Sequence, residues 1–452
     1  MDVSQLQHMN VSVIGAARSG IAVAKLLQQQ GAQVFVSDSA SAEKLRAQAS
    51  ELKSLGIPCE IGTHTENVYQ CKLMVISPGV PSNAPIVVEA QKRGIQVVSE
   101  LEVGSWFCQA PIVAITGSNG KTTTTTLTGR ILNDAEKKHI VAGNIGTAFS
   151  SVILGMVETD VAVLEVSSFQ LDHIESFRPK ISVILNITPD HMDRYDHSMK
   201  QYAASKSRVF LNQKDDDVLL YNADDEWTVR AVEQAKCRTI GFSTHRSLTE
   251  GAFIESGKMA VMLNGSRTEI IDADKIFIKG LHNLYNSMAA TLVGLLLGVD
   301  ASSIRSTLET FRGVEHRLEF VRELNHVRYY NDSKATNVDS VWYALQAFQE
   351  PIVLLLGGRD KGNDYTRLTE LVHKQVRTII AIGESAGIVE DAFRGTTVIK
   401  KATSMEEAVS TAKFLAQSGD IVLLSPACAS FDWFQNYEHR GQVFKQLVNM
   451  LS

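Results

Sequence analysis

Cysteine is scarce in this chain. Five residues among 452, Cys59, Cys71, Cys108, Cys237 and Cys428, make an odd set with no metal-ligand spacing, so neither a disulfide framework nor a zinc site is expected. A basic excess is lacking too. Against 44 Lys and Arg stand 50 Asp and Glu, a net charge of −6, which excludes the broad positive footprint of a nucleic-acid binder and leaves anionic ligands to local sites. Long apolar runs are also missing: the longest apolar helical stretch, Ala289 to Val299, is far short of the about 20 residues that cross a bilayer. No charged start followed by an apolar segment opens the chain, and the expectation is a cytoplasmic protein with no membrane partner. Short-period repeats and low-complexity tracts are absent.

What is present is a 44% hydrophobic content, enough for several cores, and a strand-then-helix alternation that occurs three times. The first block reads VSVIG (11–15), a helix about Ile21–Gln30, VFVSD (34–38), a helix about Ala42–Leu55, LMVISPGV (73–80) and IQVVSE (95–100), a Rossmann-like order. The second opens with PIVAITGSNGKTT (111–123), passes through VAVLEVSS (161–168) and ISVILNIT (181–188), and ends in a helical stretch over 282–297. The third carries VRYYNDS (327–333), PIVLLLGG (351–358), TIIAIG (378–383) and DIVLLSP (420–426). The fold class is therefore α/β with three domains, mostly of parallel sheet, with expected bounds 1–102, 103–313 and 314–452.

The strongest chemical signal is TGSNGKTT (116–123), a strand-to-helix turn in which Gly117, Ser118, Asn119 and Gly120 aim backbone N–H groups at phosphate oxygens. Lys121 would neutralise β/γ-phosphates, Thr122 would place its hydroxyl on Mg²⁺, and Thr123 continues the loop. Ile115 stands where the complete phosphate-loop pattern has its first glycine, and a purely structural turn is the alternative. Glu165 at the carboxyl end of one apolar strand and His191 after another face the crevice where ligands bind, as candidates for metal ligation or as hydrogen-bonded loop residues. Lys206 in YAASKSRVF reads, taken alone, as a solvated helix lysine.

GAARSG (15–20) resembles a dinucleotide fingerprint with Asp38 at the ribose position, but Ala17 replaces its middle glycine, which disfavours a plain NAD site and leaves a uridine nucleotide open. His282, Asn283 and Asn286 share one helix side, suited to polar contacts or to helix capping. Arg317, Asp332, Lys334 and Lys361 sit in strand-edge loops of the last block, where several basic residues together suit an anionic ligand.

TGSNGKTT, EVSSFQL (165–171), NITPDHMDRY (186–195), HNLYN, HR (316–317), NDSKATN (331–337) and GGRDKG recur in an order that resembles the Mur ligases over nearly the whole chain. The resemblance implies a UDP-binding domain, an ATPase domain and an amino-acid-binding domain. It also implies that ATP and two Mg²⁺ ions turn a substrate carboxylate into an acyl phosphate, which an incoming amine attacks. Carried over by position, residues 117–123, Asn283, Asn286, Arg317 and Asp332 contact ATP, and Thr122, Glu165 and His191 hold metal. Lys206 falls on the lysine that CO₂ converts to a carbamate, and Lys121, His191, Lys206 and Lys334 form the catalytic set. Arg18, Ser19, Asp38, Ser39, Gly79 and Asn144 meet the UDP-sugar. The block SPACASFDWFQNY (425–437) points to the branch that adds D-glutamate to UDP-N-acetylmuramoyl-L-alanine, with Lys334, Thr336, Lys361, Ser430, Phe431 and Tyr437 around the amino acid. No DNPR-type motif of the diaminopimelate- or lysine-adding relatives occurs, and the expected state is a monomer. An NAD-dependent oxidoreductase and a non-catalytic nucleotide switch are the rival classes; the damaged fingerprint opposes the first, and the His191, Lys206 and Lys334 set has no use in the second.

Overall fold

The computed structural model describes residues 3–360 and 362–452. Three sheets are present, and the chain forms two compact units, one of residues 1–273 with 285–307 and one of 274–284 with 308–452.

The first unit holds two sheets. In its amino-terminal part, five parallel strands lie in the order Cys59–Ile61, Gln33–Asp38, Asn10–Ile14, Leu73–Ile76, Gln96–Ser99. The order reverses at Asn10–Ile14, the first strand, so its loop opens at a topological switch point. Helix Arg18–Gln29 follows directly. Gly20 packs against the first loop so closely that a Cβ there would lie 1.8 Å from the Gly15 oxygen, whereas Ala17 has φ −78°, ordinary for any residue. The alanine that breaks the fingerprint thus adds no backbone strain.

The second sheet has nine strands, ordered Ser266–Asp272, Lys258–Leu263, Gly251–Glu255, Arg238–Ser243, Val218–Asn222, Ile181–Ile184, Ile112–Thr116, Val161–Glu165, His139–Gly143. The last seven are parallel and the first two join them antiparallel. Ile112–Thr116 is buried along its whole length, as a central parallel strand covered on both faces must be. Its neighbours are Ile181–Ile184 and Val161–Glu165, so the carboxyl ends of all three strands, with the loops that follow, meet at one edge. Helix Lys121–Asp134 starts at that edge from Gly120, whose φ of +86° suits glycine. The antiparallel extension over 258–272, like the strand Gly251–Glu255 beside it, has no counterpart in the motif-based reading, because these strands carry no ligand-loop signature.

The second unit has six strands, ordered Glu319–Leu324, Val327–Asn331, Ile421–Leu424, Ile352–Gly357, Val376–Ile382, Val398–Lys401, all parallel except the first pair. Ile352–Gly357 and Ile421–Leu424 are apolar and buried throughout, and helices cover both faces. All five cysteines are unpaired, and no helix among the described residues is long and apolar enough to cross a membrane.

Candidate active site

The loop over 117–120 is fixed from beneath by the strand-end segment 186–188. Ser118 N–H donates to the Asn186 carbonyl at 3.0 Å, Asn119 N–H to Asn186 Oδ1 at 2.9 Å, and Ser118 Oγ to the Thr188 carbonyl at 2.8 Å. Gly120 lies against Asn286, whose Oδ1 would stand 2.3 Å from any Cβ at that position and accepts from Thr124 Oγ1 at 3.2 Å. Asn286 therefore reaches the loop. Asn283, one turn earlier, donates its side-chain amide to the Lys279 carbonyl at 2.8 Å.

Lys121 bends over its own loop and donates to the carbonyls of Gly117 and Ser118, both at 2.8 Å. The Gly117 carbonyl also accepts from Lys206 Nζ at 2.9 Å. Lys206 is only 2% exposed, with its ammonium 4.5 Å from the centre of the Tyr202 ring, so the solvated-lysine alternative does not hold. Burial first, and then the Lys121 charge, push its pKa well below the ordinary lysine range against the opposing pull of Asp190 and Asp172.

Thr122 and Glu165 meet at the same edge. Thr122 Oγ1 donates to Glu165 Oε2 at 2.7 Å, and Glu165 Oε1 accepts from Asn144 Nδ2 at 2.9 Å. His191 stands on backbone of φ +52°, its ring 5.1 Å from that of Phe169 and its Nε2 3.7 Å from Asp190. Its pKa is lowered, by desolvation first and by Lys121, Lys206 and Arg194 against Asp190, but half of the side chain is exposed and solvent screens those charges. Oxygen donors at Thr122 and Glu165 suit a hard dication such as Mg²⁺, and the His191 imidazole is a compatible further donor.

The residues expected at the UDP-sugar are partly committed to the protein itself. Asp38 accepts from Ala16 N–H at 2.7 Å and Ala40 N–H at 2.8 Å, bracing two loops, while Arg18 donates to the Gly146 carbonyl. Gly79 accepts from Arg194 at 3.2 Å, and Ser39 is exposed. Asn144 lies against Glu165, in the group with Thr122.

In the second unit Asp332 is buried, accepting from Ser425 Oγ at 2.7 Å and Leu318 N–H at 3.1 Å. Burial raises its pKa to about 7, against those hydrogen bonds and the nearby Arg317 and Arg440. Burial and Arg317 lower His282 to about 4. The Lys334 ammonium lies 4.9 Å from the centre of the Tyr437 ring. Thr336 is half-buried, Ser430 buried and Phe431 60% exposed; Lys361 lies outside the described residues.

Motif reading missed several residues. Arg440 is 1% exposed and ties Ser333 to Cys428, donating to Ser333 Oγ at 2.9 Å, the Ser333 carbonyl at 2.7 Å and the Cys428 carbonyl at 3.1 Å. Asp172 accepts from both Tyr195 and Ser205, beside Lys206. Glu315, His316 and Glu319 are the one described group of three carboxylate or imidazole side chains close enough for a metal, and Lys445 already bridges its carboxylates at 2.6 and 2.8 Å. Nothing in sequence separates Asp172 and Arg440 from ordinary surface charges, whereas His316 lies in the HR motif and only its closeness to Glu315 and Glu319 is new.

Three family profiles cover most of the chain: Mur ligase MurD-like, N-terminal domain (9–99), Mur ligase middle domain (115–294), and Mur ligase, glutamate ligase domain (316–428). The chain is 46% identical to the UDP-N-acetylmuramoylalanine--D-glutamate ligase of Salinibacter ruber, with 100% of both chains covered. The chain belongs to the Mur ligase family. Solved structures agree in fold. MurF from Acinetobacter baumannii, 18% identical, has a TM-score of 0.63 over 99% of this chain and 98% of that one. MurF ligase from Thermotoga maritima in complex with ADP, 14% identical, has a TM-score of 0.58 over 92% and 95%. The α/β architecture of three mostly parallel sheets is thus that of the Mur ligases, and the loop carrying Lys121 and Thr122 lies within the matched middle domain.

Proposed function

We propose that this Mur ligase joins D-glutamate to UDP-N-acetylmuramoyl-L-alanine, with ATP as the energy source, in the synthesis of the peptidoglycan precursor. The substrates follow from the full-length likeness to a D-glutamate ligase. The chemistry rests on one observation above all: two lysines, Lys121 and Lys206, share the Gly117 carbonyl beside the Thr122–Glu165 pair.

In this reading residues 1–102 bind the UDP-substrate, 103–313 bind ATP and 314–452 bind the amino acid. Gly117 to Thr123 cradle the phosphates, and Asn283, Asn286, Arg317 and Asp332 also contact ATP. Arg18, Ser19, Asp38, Ser39, Gly79 and Asn144 contact the UDP-sugar; Lys334, Thr336, Lys361, Ser430, Phe431 and Tyr437 receive D-glutamate. A substrate carboxylate oxygen attacks the γ-phosphorus and ADP leaves. The D-glutamate amine then adds to the acyl-phosphate carbon, loses its proton, and phosphate departs from the tetrahedral intermediate to leave the amide. Lys121, displaced by phosphate from its loop carbonyls, neutralises the charge that gathers on the transferred group, and Lys334 steadies charge on the acceptor side. Two Mg²⁺ ions, held by Thr122 and Glu165 and by His191 with Lys206, would supply Lewis-acid neutralisation. The low proton affinity of Lys206 suits carbamate formation: a neutral amine adds to CO₂, gives up one proton and becomes an anionic ligand. The enzyme acts as a cytoplasmic monomer on small-molecule substrates.

Donor labelled with ¹⁸O in its free carboxylate tests this route. Acyl-phosphate chemistry transfers one labelled oxygen into the released phosphate; unlabelled phosphate accompanying amide formation would overturn it.

A further inference from the structure

Helix Met199–Ser207, which carries Lys206, has two unlike faces. Tyr202 and Lys206 point inward and are buried, whereas Lys200, Ala203, Ala204 and Ser207, spaced i, i+3, i+4 and i+7, line a cavity of about 700 Å³ on the opposite side. Phe210, Leu211 and Trp227 add an apolar wall on which Leu211 is 53% exposed. The rim is basic. Lys200, Arg208, Arg230 and Lys236 stand against Glu233 on a chain whose net charge is −6. Arg230 pairs with Glu226, and Arg208 donates to the carbonyls of Leu171 and Ile174 at 2.6 and 2.7 Å; Lys200 and Lys236 have no ion-pair partner among the described residues.

We propose that this cavity is a second ligand site, for a small aromatic anion, and that its occupation alters turnover through the helix it shares with Lys206. The volume lies in the range of small-molecule sites, the Trp227 wall suits a flat apolar body, and the unpaired lysines suit one or two negative charges. Arg208 ties the cavity wall to the segment after Glu165, and Lys206 ties the helix to the phosphate loop, so a ligand that moves either element reaches the proposed chemistry. The turnover part rests on the proposed function; the binding part does not.

The test uses 8-anilinonaphthalene-1-sulfonate on the full-length protein, with UDP and ADP saturating the nucleotide sites. Binding should weaken at least about tenfold in Ala204→Trp, which fills the cavity from an exposed position, and in Lys200→Glu with Lys236→Glu, and it should fall as salt rises. Unchanged affinity in both variants would overturn the site. Phosphate release, measured without added UDP and ADP, should change with probe in the native protein and not in Ala204→Trp; an equal response in both would overturn the coupling while leaving the ligase reading intact. Displacement of the probe by poly-L-glutamate at comparable affinity would reassign the groove to an acidic protein partner and sink the small-ligand proposal.

Discussion

At the Gly117 carbonyl two ammonium groups compete for one acceptor, and one of them, Lys206, is almost without solvent. A buried cation beside another cation is held more readily as the neutral amine, which is the form that adds to CO₂. Lys206→Arg keeps a cation of similar length but cannot form a carbamate. Phosphate release should fall by about 100-fold or more, a size usual for loss of a positioned charge, and ¹³C-bicarbonate should give a carbamate signal in the native protein alone. Full activity in the Arg variant would return Lys206 to a structural role. Lys121→Ala should cost about 3 kcal/mol or more of transition-state stabilisation while leaving UDP-substrate binding intact, read by phosphate release and calorimetry. Asp332 offers a pH-dependent test. Its folded pKa of about 7 lies above the unfolded value of about 3.9, so the folded state holds the proton more tightly, and the cost of ionisation grows as pH rises between those values. Asp332→Asn should therefore gain stability relative to the native protein from pH 5 to pH 8 in denaturant titrations; a constant difference would contradict the assignment.

Elements that carry ligand loops were legible because two signals coincide in them, an apolar run and a turn of special residues. The sequence places PIVAIT, VAVLE and ISVIL as strands, and the structure has Ile112–Thr116, Val161–Glu165 and Ile181–Ile184 side by side. The helix expected over 42–55 is shorter, Arg46–Ser54, since Ala42 to Leu45 form turns instead. Strands 251–272 escaped because their short alternating pattern accompanies no motif. Burial of Lys206 was illegible for another reason: the helix has small residues on its outer face and no apolar stripe to reveal which side is inward. The phosphate loop also yields a prediction at this scale. Gly120→Ala adds a Cβ at φ +86° against Asn286, and should lower stability by about 1–3 kcal/mol and weaken ATP binding, measured by thermal unfolding and calorimetry. Unchanged values would mean that the loop relaxes freely.

Across the whole molecule, three sheets present loops with ligand-type residues at the carboxyl ends of their parallel strands, the usual place for ligands in open α/β sheets. Order and content of those loops follow the Mur ligase pattern, which is why family and fold could be read early. Acceptor choice was less accessible, because basic residues such as Lys334 suit any second carboxylate. The most direct test of the account is therefore ATP-dependent phosphate release with UDP-N-acetylmuramoyl-L-alanine and a panel of acceptors. The account predicts release that needs the UDP-substrate and is at least about 100-fold faster with D-glutamate than with L-glutamate, L-alanine, L-lysine or diaminopimelate, a difference of about 2.7 kcal/mol. Equal rates with L-lysine, or release independent of the UDP-substrate, would contradict it.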